Sequence, residues 1–279
     1  MDKDFWNSIA KNDYQIPEEH TLDNLTDILF SYLGSVDPEL RDDIAYVVYA
    51  NWLKQEVYSK QAIKSHVEKL LSNLDKGIGE TESDTVFLRT FSALLLAEIV
   101  HNDNKKQLLE KSQVKTILEK GLWYLDAEKD PRGYTPVKGW AHALAHTADL
   151  MLVLARNRFM DGNDLWRMLA TISNKIVHSS RHVYIHGEDE RLSKAIMEIL
   201  RRDLISLNQL EIWTRSFKEP DGKEWKGAYV DEERSRAFQN TRNLLRSIYL
   251  ALITQQVNLP DQEELSRLFL NTLTELKPY

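Results

Sequence analysis

Residues 139–155 read Gly139-Trp140-Ala141-His142-Ala143-Leu144-Ala145-His146-Thr147-Ala148-Asp149-Leu150-Met151-Leu152-Val153-Leu154-Ala155, and their reading decides the fold. With His142 set at zero on a helix turning about 100° per residue, His146 falls near about 40°, Asp149 near about −20° and Val153 near about 20°. Trp140, Ala143, Leu144, Ala148, Leu150 and Met151 fill most of the remaining circumference. A helix that is apolar nearly all round is a buried helix. Its narrow stripe of His142, His146 and Asp149 then needs partners, because an unsatisfied buried polar group costs about 1–3 kcal/mol.

The same period extends outward from this stretch. Apolar residues recur at spacings of three and four almost throughout, and strand-like alternation is missing. Asp37-Pro38-Glu39 and Ser83-Asp84 carry helix-start chemistry, and Gly139, Gly187 and Asp231-Glu232-Glu233 mark three further starts. Strongly apolar helices are therefore expected from near Pro38, Asp84, Gly139, Glu188 and Arg236, starts that lie about 50 residues apart as in helical-hairpin repeats. Less apolar helices are expected at 61–74, 106–124, 162–178, 204–215 and 261–276, with an extra one at 22–34. The expected architecture is all-α: a single repeat domain over 1–279, an α-α superhelix of about five stacked hairpins resembling HEAT or armadillo arrays. An incomplete α/α toroid is the alternative. Two connections exceed what such repeats need. One holds Asp130-Pro131-Arg132-Gly133-Tyr134, the other Pro220-Asp221-Gly222 with Trp225 and Tyr229.

Composition limits the function classes. Among 279 residues, 43 acidic and 36 basic side chains give a net charge of −7. The longest basic cluster is Arg201-Arg202, too little for a nucleic-acid partner. No apolar run approaches the roughly 18 residues of a membrane span, and the first twenty residues lack the order of a secretory signal. No membrane partner and a cytoplasmic location are expected. Cysteine is absent, which removes disulfides and thiolate ligands.

Helical phase on the other strongly apolar helices gives related stripes. Asp43 lies in line with Leu40, Val47 and Ala50; Arg89 with Ala93, Leu96 and Val100; Asp189 with Leu192, Ile196 and Leu200. Gln239, Arg242 and Arg246 share a stripe with Leu250 and Ile253. If these helices run parallel, one polar pocket results, lined by Asp43, Arg89, Trp140, His142, His146, Asp149, Asp189, Arg242 and Arg246, with Asp130 and Arg132 on its rim. Mutual pairing of Asp43, Asp149 and Asp189 with Arg89, Arg242 and Arg246 is expected, since buried charges are rarely single. An ion-pair network that only holds the fold together predicts the same pairings.

His142 and His146 stand four residues apart, the spacing by which two imidazoles on a helix reach one divalent metal ion, with Asp149 either a third ligand or the group that orients His146 through its other ring nitrogen. Ala143 stands where the zinc-protease motif has its glutamate, so a protease is disfavoured. Glu188 and Glu190 sit in a first helical turn, where acidic residues favour the helix dipole without any further role. No serine lies in a glycine-flanked elbow and no phosphate loop is present.

The chain resembles a bacterial family catalogued as domain of unknown function 2785. The resemblance rests on Arg41-Asp42, Phe87-Leu88-Arg89-Thr90-Phe91-Ser92-Ala93, Asp130 to Tyr134, Gly139 to Asp149, Gly187 to Leu192, and Asn243-Leu244-Leu245-Arg246-Ser247-Ile248-Tyr249. It implies no activity, substrate or cofactor. Two functional readings follow. One is a binding or scaffold protein that takes a small molecule, glycan or peptide in the polar pocket. The other is a metal-assisted hydrolase using His142 and His146.

Overall fold

Capping chemistry sets many of the helix boundaries in the computed structural model, which describes residues 1–179, 181–254, 259 and 261–278. Ser59 accepts from Ala62 N at the start of one helix, and Asp161 with Asp164 and Ser206 with Gln209 close reciprocal capping boxes at two more. The helices among the described residues are α1 (Lys3–Lys11), α2 (Leu22–Tyr32), a π-helical segment (Glu39–Tyr46) running into α3 (Val47–Lys54), α4 (Lys60–Asn73), α5 (Thr85–Lys106) and α6 (Lys111–Ala127). After a hairpin of β1 (Tyr134–Thr135) and β2 (Gly139–Trp140) follow α7 (Ala143–Ala155), α8 (Gly162–Val177), α9 (Glu188–Arg201), α10 (Leu207–Lys218), α11 (Glu232–Thr254) and α12 (Gln262–Glu275). The chain is all-α, as its periodicity requires. Among the described residues no helix is long and apolar enough to cross a membrane.

The chain divides into two compact units, Met1–Lys120 with Ala127–His146, and Gly121–Asp126 with Thr147–Tyr279. In the first, α5 is buried along most of its length, including Phe87, Arg89, Thr90, Phe91 and Ser92. The π-helical segment, α3 and α4 pack against it. In the second, α9 lies on α11, α10 on α8 and α12, and α11 also on α8 and α12.

Four expectations are corrected. The helix containing His146 begins at Ala143, four residues after Gly139, because Gly139 and Trp140 pair with Thr135 and Tyr134 in the hairpin. Asp43 is exposed rather than inward. It lies in the π-helical segment, whose i→i+5 bonding winds the chain by less per residue than an α-helix, so a phase of about 100° per residue misplaces its side chains. On α11 the buried face is Ala237, Phe238, Asn240, Thr241, Leu244, Leu245, Ile248 and Leu252. Arg246, Leu250 and Ile253 are exposed, so that stripe is the solvent side of the helix. Finally, α1 was not expected; Asp2 caps it by accepting from Phe5 N, and Trp6 and Ile9 are its buried residues.

Candidate functional site

The blocks of the first unit that the sequence singled out converge on the connection between α6 and α7. Arg89, fully buried on α5, donates from Nε to Glu128 Oε2 at 2.6 Å and from Nη2 to Oε1 at 3.2 Å. Its Nη1 serves the Lys76 carbonyl and Thr85 Oγ1, each at 2.9 Å. Glu128 Oε1 also accepts from the backbone N–H of Lys129 and Asp130, both at 2.9 Å. Asp130, itself buried, receives Glu82 N and the Arg132 guanidinium, whose Nη2 continues to the Ser83 carbonyl at 2.6 Å. Donating to Asp130 raises the Arg132 pKa above its ordinary value despite burial. Arg89, Glu128, Asp130 and Arg132 each have a partner, which is the condition for burying them.

This network carries the hairpin. His142 N donates to the Arg132 carbonyl at 3.1 Å and Ala141 N to the Gly133 carbonyl at 2.8 Å, extending the two-residue ladder. From the other side Arg41 Nη2 donates to the Lys138 carbonyl at 2.9 Å, and Lys138 Nζ meets both oxygens of Asp84 at 2.7 and 2.8 Å. Gly139 sits at φ +75°, and a Cβ there would lie 2.9 Å from Pro38 Cβ and 3.1 Å from Arg41 Nη2. Only glycine fits that approach.

On this base stand the aromatic groups. The Trp140 ring stacks on His142 at 4.2 Å and 24°, and Tyr134 meets Trp140 edge-on at 5.0 Å. His142 meets His146 at 5.7 Å, and His146 meets Phe91 at 5.1 Å while its Nδ1 lies 3.0 Å from Thr90 Oγ1. The imidazoles are buried, yet Trp140, Tyr134 and Val137 are exposed by 38%, 53% and 91%. His142 lies before the helix at φ +51°, so the two-imidazole spacing of a continuous helix does not apply. Among the described residues no group of three or more His, Asp or Glu side chains is placed to hold a metal ion.

The hairpin turn is closed by Lys138 N donating to the Thr135 carbonyl at 3.2 Å, with Pro136 second and Val137 third at φ +70°. Positive φ at that position favours glycine. A left-handed residue costs about 1–2 kcal/mol, offset in glycine by an entropic penalty of about 0.5–1 kcal/mol. Val137→Gly is therefore expected to stabilise the protein by about 0.5–1 kcal/mol in urea unfolding. A loss of stability of that size would contradict the strained turn.

In the second unit the expected charges find other partners. Asp149 pairs with Arg191 at 2.6 Å. Burial raises its pKa, and the Arg191 charge only partly opposes this. Asp189 accepts from Ser247 Oγ at 2.6 Å, and Arg242 reaches the Tyr229 hydroxyl at 3.3 Å and lies over Phe238. Glu188 is the buried acid of its turn, accepting from His186 N at 2.8 Å. The expected pairing of Asp43, Asp149 and Asp189 with Arg89, Arg242 and Arg246 is replaced by Arg89 with Glu128 and Asp149 with Arg191. Sequence reasoning missed Glu128, and it held Arg41, Thr90, Arg191 and Ser247 only through the resemblance. Glu128 lies beyond the periodic part of α6, where phase carries no signal.

Fold and contacts thus define an all-α protein with an aromatic hairpin seated on buried ion pairs. A family profile described as a protein of unknown function (DUF2785) matches residues 74–250, and the chain belongs to that family. No curated protein and no solved structure matches it.

Proposed function

We propose that this is a binding protein of stacked helical hairpins whose recognition surface is the hairpin of residues 134–140 backed by His142. The observation that carries this reading is the exposure of Tyr134 and Trp140 on a segment that buried charges hold from both sides. Tryptophan and tyrosine dominate binding surfaces because they present large, stiff, amphipathic faces. Arg89, Asp130 and Arg132 act here as positioning residues, and His142, itself backed by His146, supports the Trp140 ring. The ligand class is a ring-bearing small molecule, a sugar unit or an aromatic group, for which ring contacts contribute about 0.5–1.5 kcal/mol beyond the area buried.

The test is a tryptophan-fluorescence titration with neutral oligosaccharides and, separately, with free nucleosides. One class is expected to give a saturable change, and Trp140→Ala to weaken it by about tenfold or more, about 1.4 kcal/mol, in protein that circular dichroism shows to be folded. No response at millimolar ligand, or an equal response in Trp140→Ala, overturns the reading.

A further inference from the structure

The second unit carries a feature that the hairpin does not use. A cleft of about 300 Å³ is bordered by the end of α8, by the connection from α10 to α11 and by the start of α11. Its walls include His178, Asp221, Trp225 and Arg234. His178 is the C-terminal cap of α8. Both of its ring nitrogens face acceptors: Nδ1 lies 2.9 Å from the Asn174 carbonyl, and Nε2 lies 2.9 Å from Asp221 Oδ2. A carbonyl and a carboxylate have no proton to give, so only an imidazolium, which donates from both nitrogens, makes both bonds. A neutral ring keeps one donor and must surrender the other contact.

We propose that His178 and Asp221 form a proton-operated latch, closed when His178 is charged, that fastens the turn at Pro220–Gly222 to the end of α8 across this cleft. Asp221 is held at φ +54°, a left-handed conformation that costs an aspartate energy and that the bond to His178 offsets. The charge at the end of α8 is also favourable with the helix dipole.

The influences that raise the His178 pKa outweigh those that lower it. Burial works against the imidazolium, but the bonds to Asp221 and the Asn174 carbonyl, with the carboxylates of Asp221 and Asp126, outweigh it and raise the pKa above 6.5. Across the cleft, Asp231 and Glu233 oppose Lys223 and Arg234. Because the folded pKa is raised, the latch contributes fully below the ordinary histidine value and is lost as pH rises through the raised one. The window opens at the ordinary histidine value of 6.5.

Release frees the turn itself at Pro220–Gly222, while the segment after it keeps its own anchors. Trp225, which is buried, is held by its Nε1 bond to the Phe217 carbonyl at 2.7 Å.

The experiment is amide hydrogen exchange of the whole chain across the His178 titration, corrected for intrinsic exchange, with the ring midpoint followed by NMR. Exchange at Gly222 and Lys223, whose N–H groups close the turn onto the Glu219 and Pro220 carbonyls, is expected to rise about two- to fivefold as the ring loses its proton, the range of an exposed ion pair, while α8 stays protected. Asp221→Asn, at an exposed position, is expected to lower the His178 midpoint and to leave the turn exchanging quickly at acidic pH. Protection that stays flat through the titration, or the same pH dependence in His178→Gln, overturns the latch. None of these readouts involves the hairpin at 134–140, so the two proposals stand or fall separately.

Discussion

Glu128→Ala is expected to destabilise the protein by about 3–5 kcal/mol, the cost of leaving one member of a buried ion pair alone. Arg89 is fully enclosed and Glu128 nearly so. Removing the carboxylate strands the two guanidinium nitrogens that donate to it, together with the N–H groups of Lys129 and Asp130. Arg89→Met is expected to cost a similar amount from the other side. The double variant Arg89→Met with Glu128→Leu should cost much less than the two single losses together, because neither charge is then left buried alone. Urea unfolding followed by circular dichroism and by fluorescence reads the difference and reveals any second transition. A rise in melting temperature for either single variant would show that the pair is retained at a cost to stability, as functional groups are.

Helix positions were legible where apolar spacing ran on without interruption: the expected spans 61–74 and 162–178 match Lys60–Asn73 and Gly162–Val177 closely. The errors came where one signal stood alone. Gly139 was read as a helix start because glycine tolerates caps, but its positive φ serves a hairpin pressed against Pro38 and Arg41. Nothing local distinguishes those two uses of a glycine. The π-helical segment carries the right residues at the wrong winding, which is why Asp43 faces solvent while Arg41 is fully buried.

The site was legible as a set of residues rather than as a geometry. Arg89, Asp130, Arg132, Trp140, His142 and His146 all belong to the assembly in the first unit. Their partners were not legible, because ion pairing in a helical protein joins positions far apart in sequence. Glu128 lies 39 residues from Arg89, and Arg191 lies 42 from Asp149. Helical phase says which side of a helix a charge occupies, not which neighbour supplies the counter-charge. The aromatic face was hidden for a related reason: Trp140 was assigned to a buried helix and instead stands half-exposed on a strand.

Arg41→Met should show how far the hairpin depends on its base. The Arg41 side chain is wholly buried, with its guanidinium between the rings of Phe87 at 4.2 Å and Phe91 at 4.7 Å. It donates to Asp42 at 2.8 Å, to the Ser35 carbonyl at 2.8 Å and to the Lys138 carbonyl at 2.9 Å. Burial lowers its pKa, partly opposed by Asp42, yet an arginine so paired stays charged. Methionine keeps the contact with both rings but supplies no donors, so two carbonyls and a carboxylate lose their partner. The expected cost is about 3 kcal/mol, from unsatisfied groups at about 1–3 kcal/mol each. Arg41→Lys keeps the charge and loses the fork, so it should recover only part of this. The decisive measurement is local: hydrogen exchange at residues 134–140 should accelerate more than exchange in α4, which Arg41 does not bond. If the hairpin stays as protected as in the parent protein, Lys138 and Asp84 hold it unaided. If it loosens, ligand affinity at Trp140 should fall by more than the fraction of unfolded protein explains, because a stacking face binds well only when it is held still before the ligand arrives.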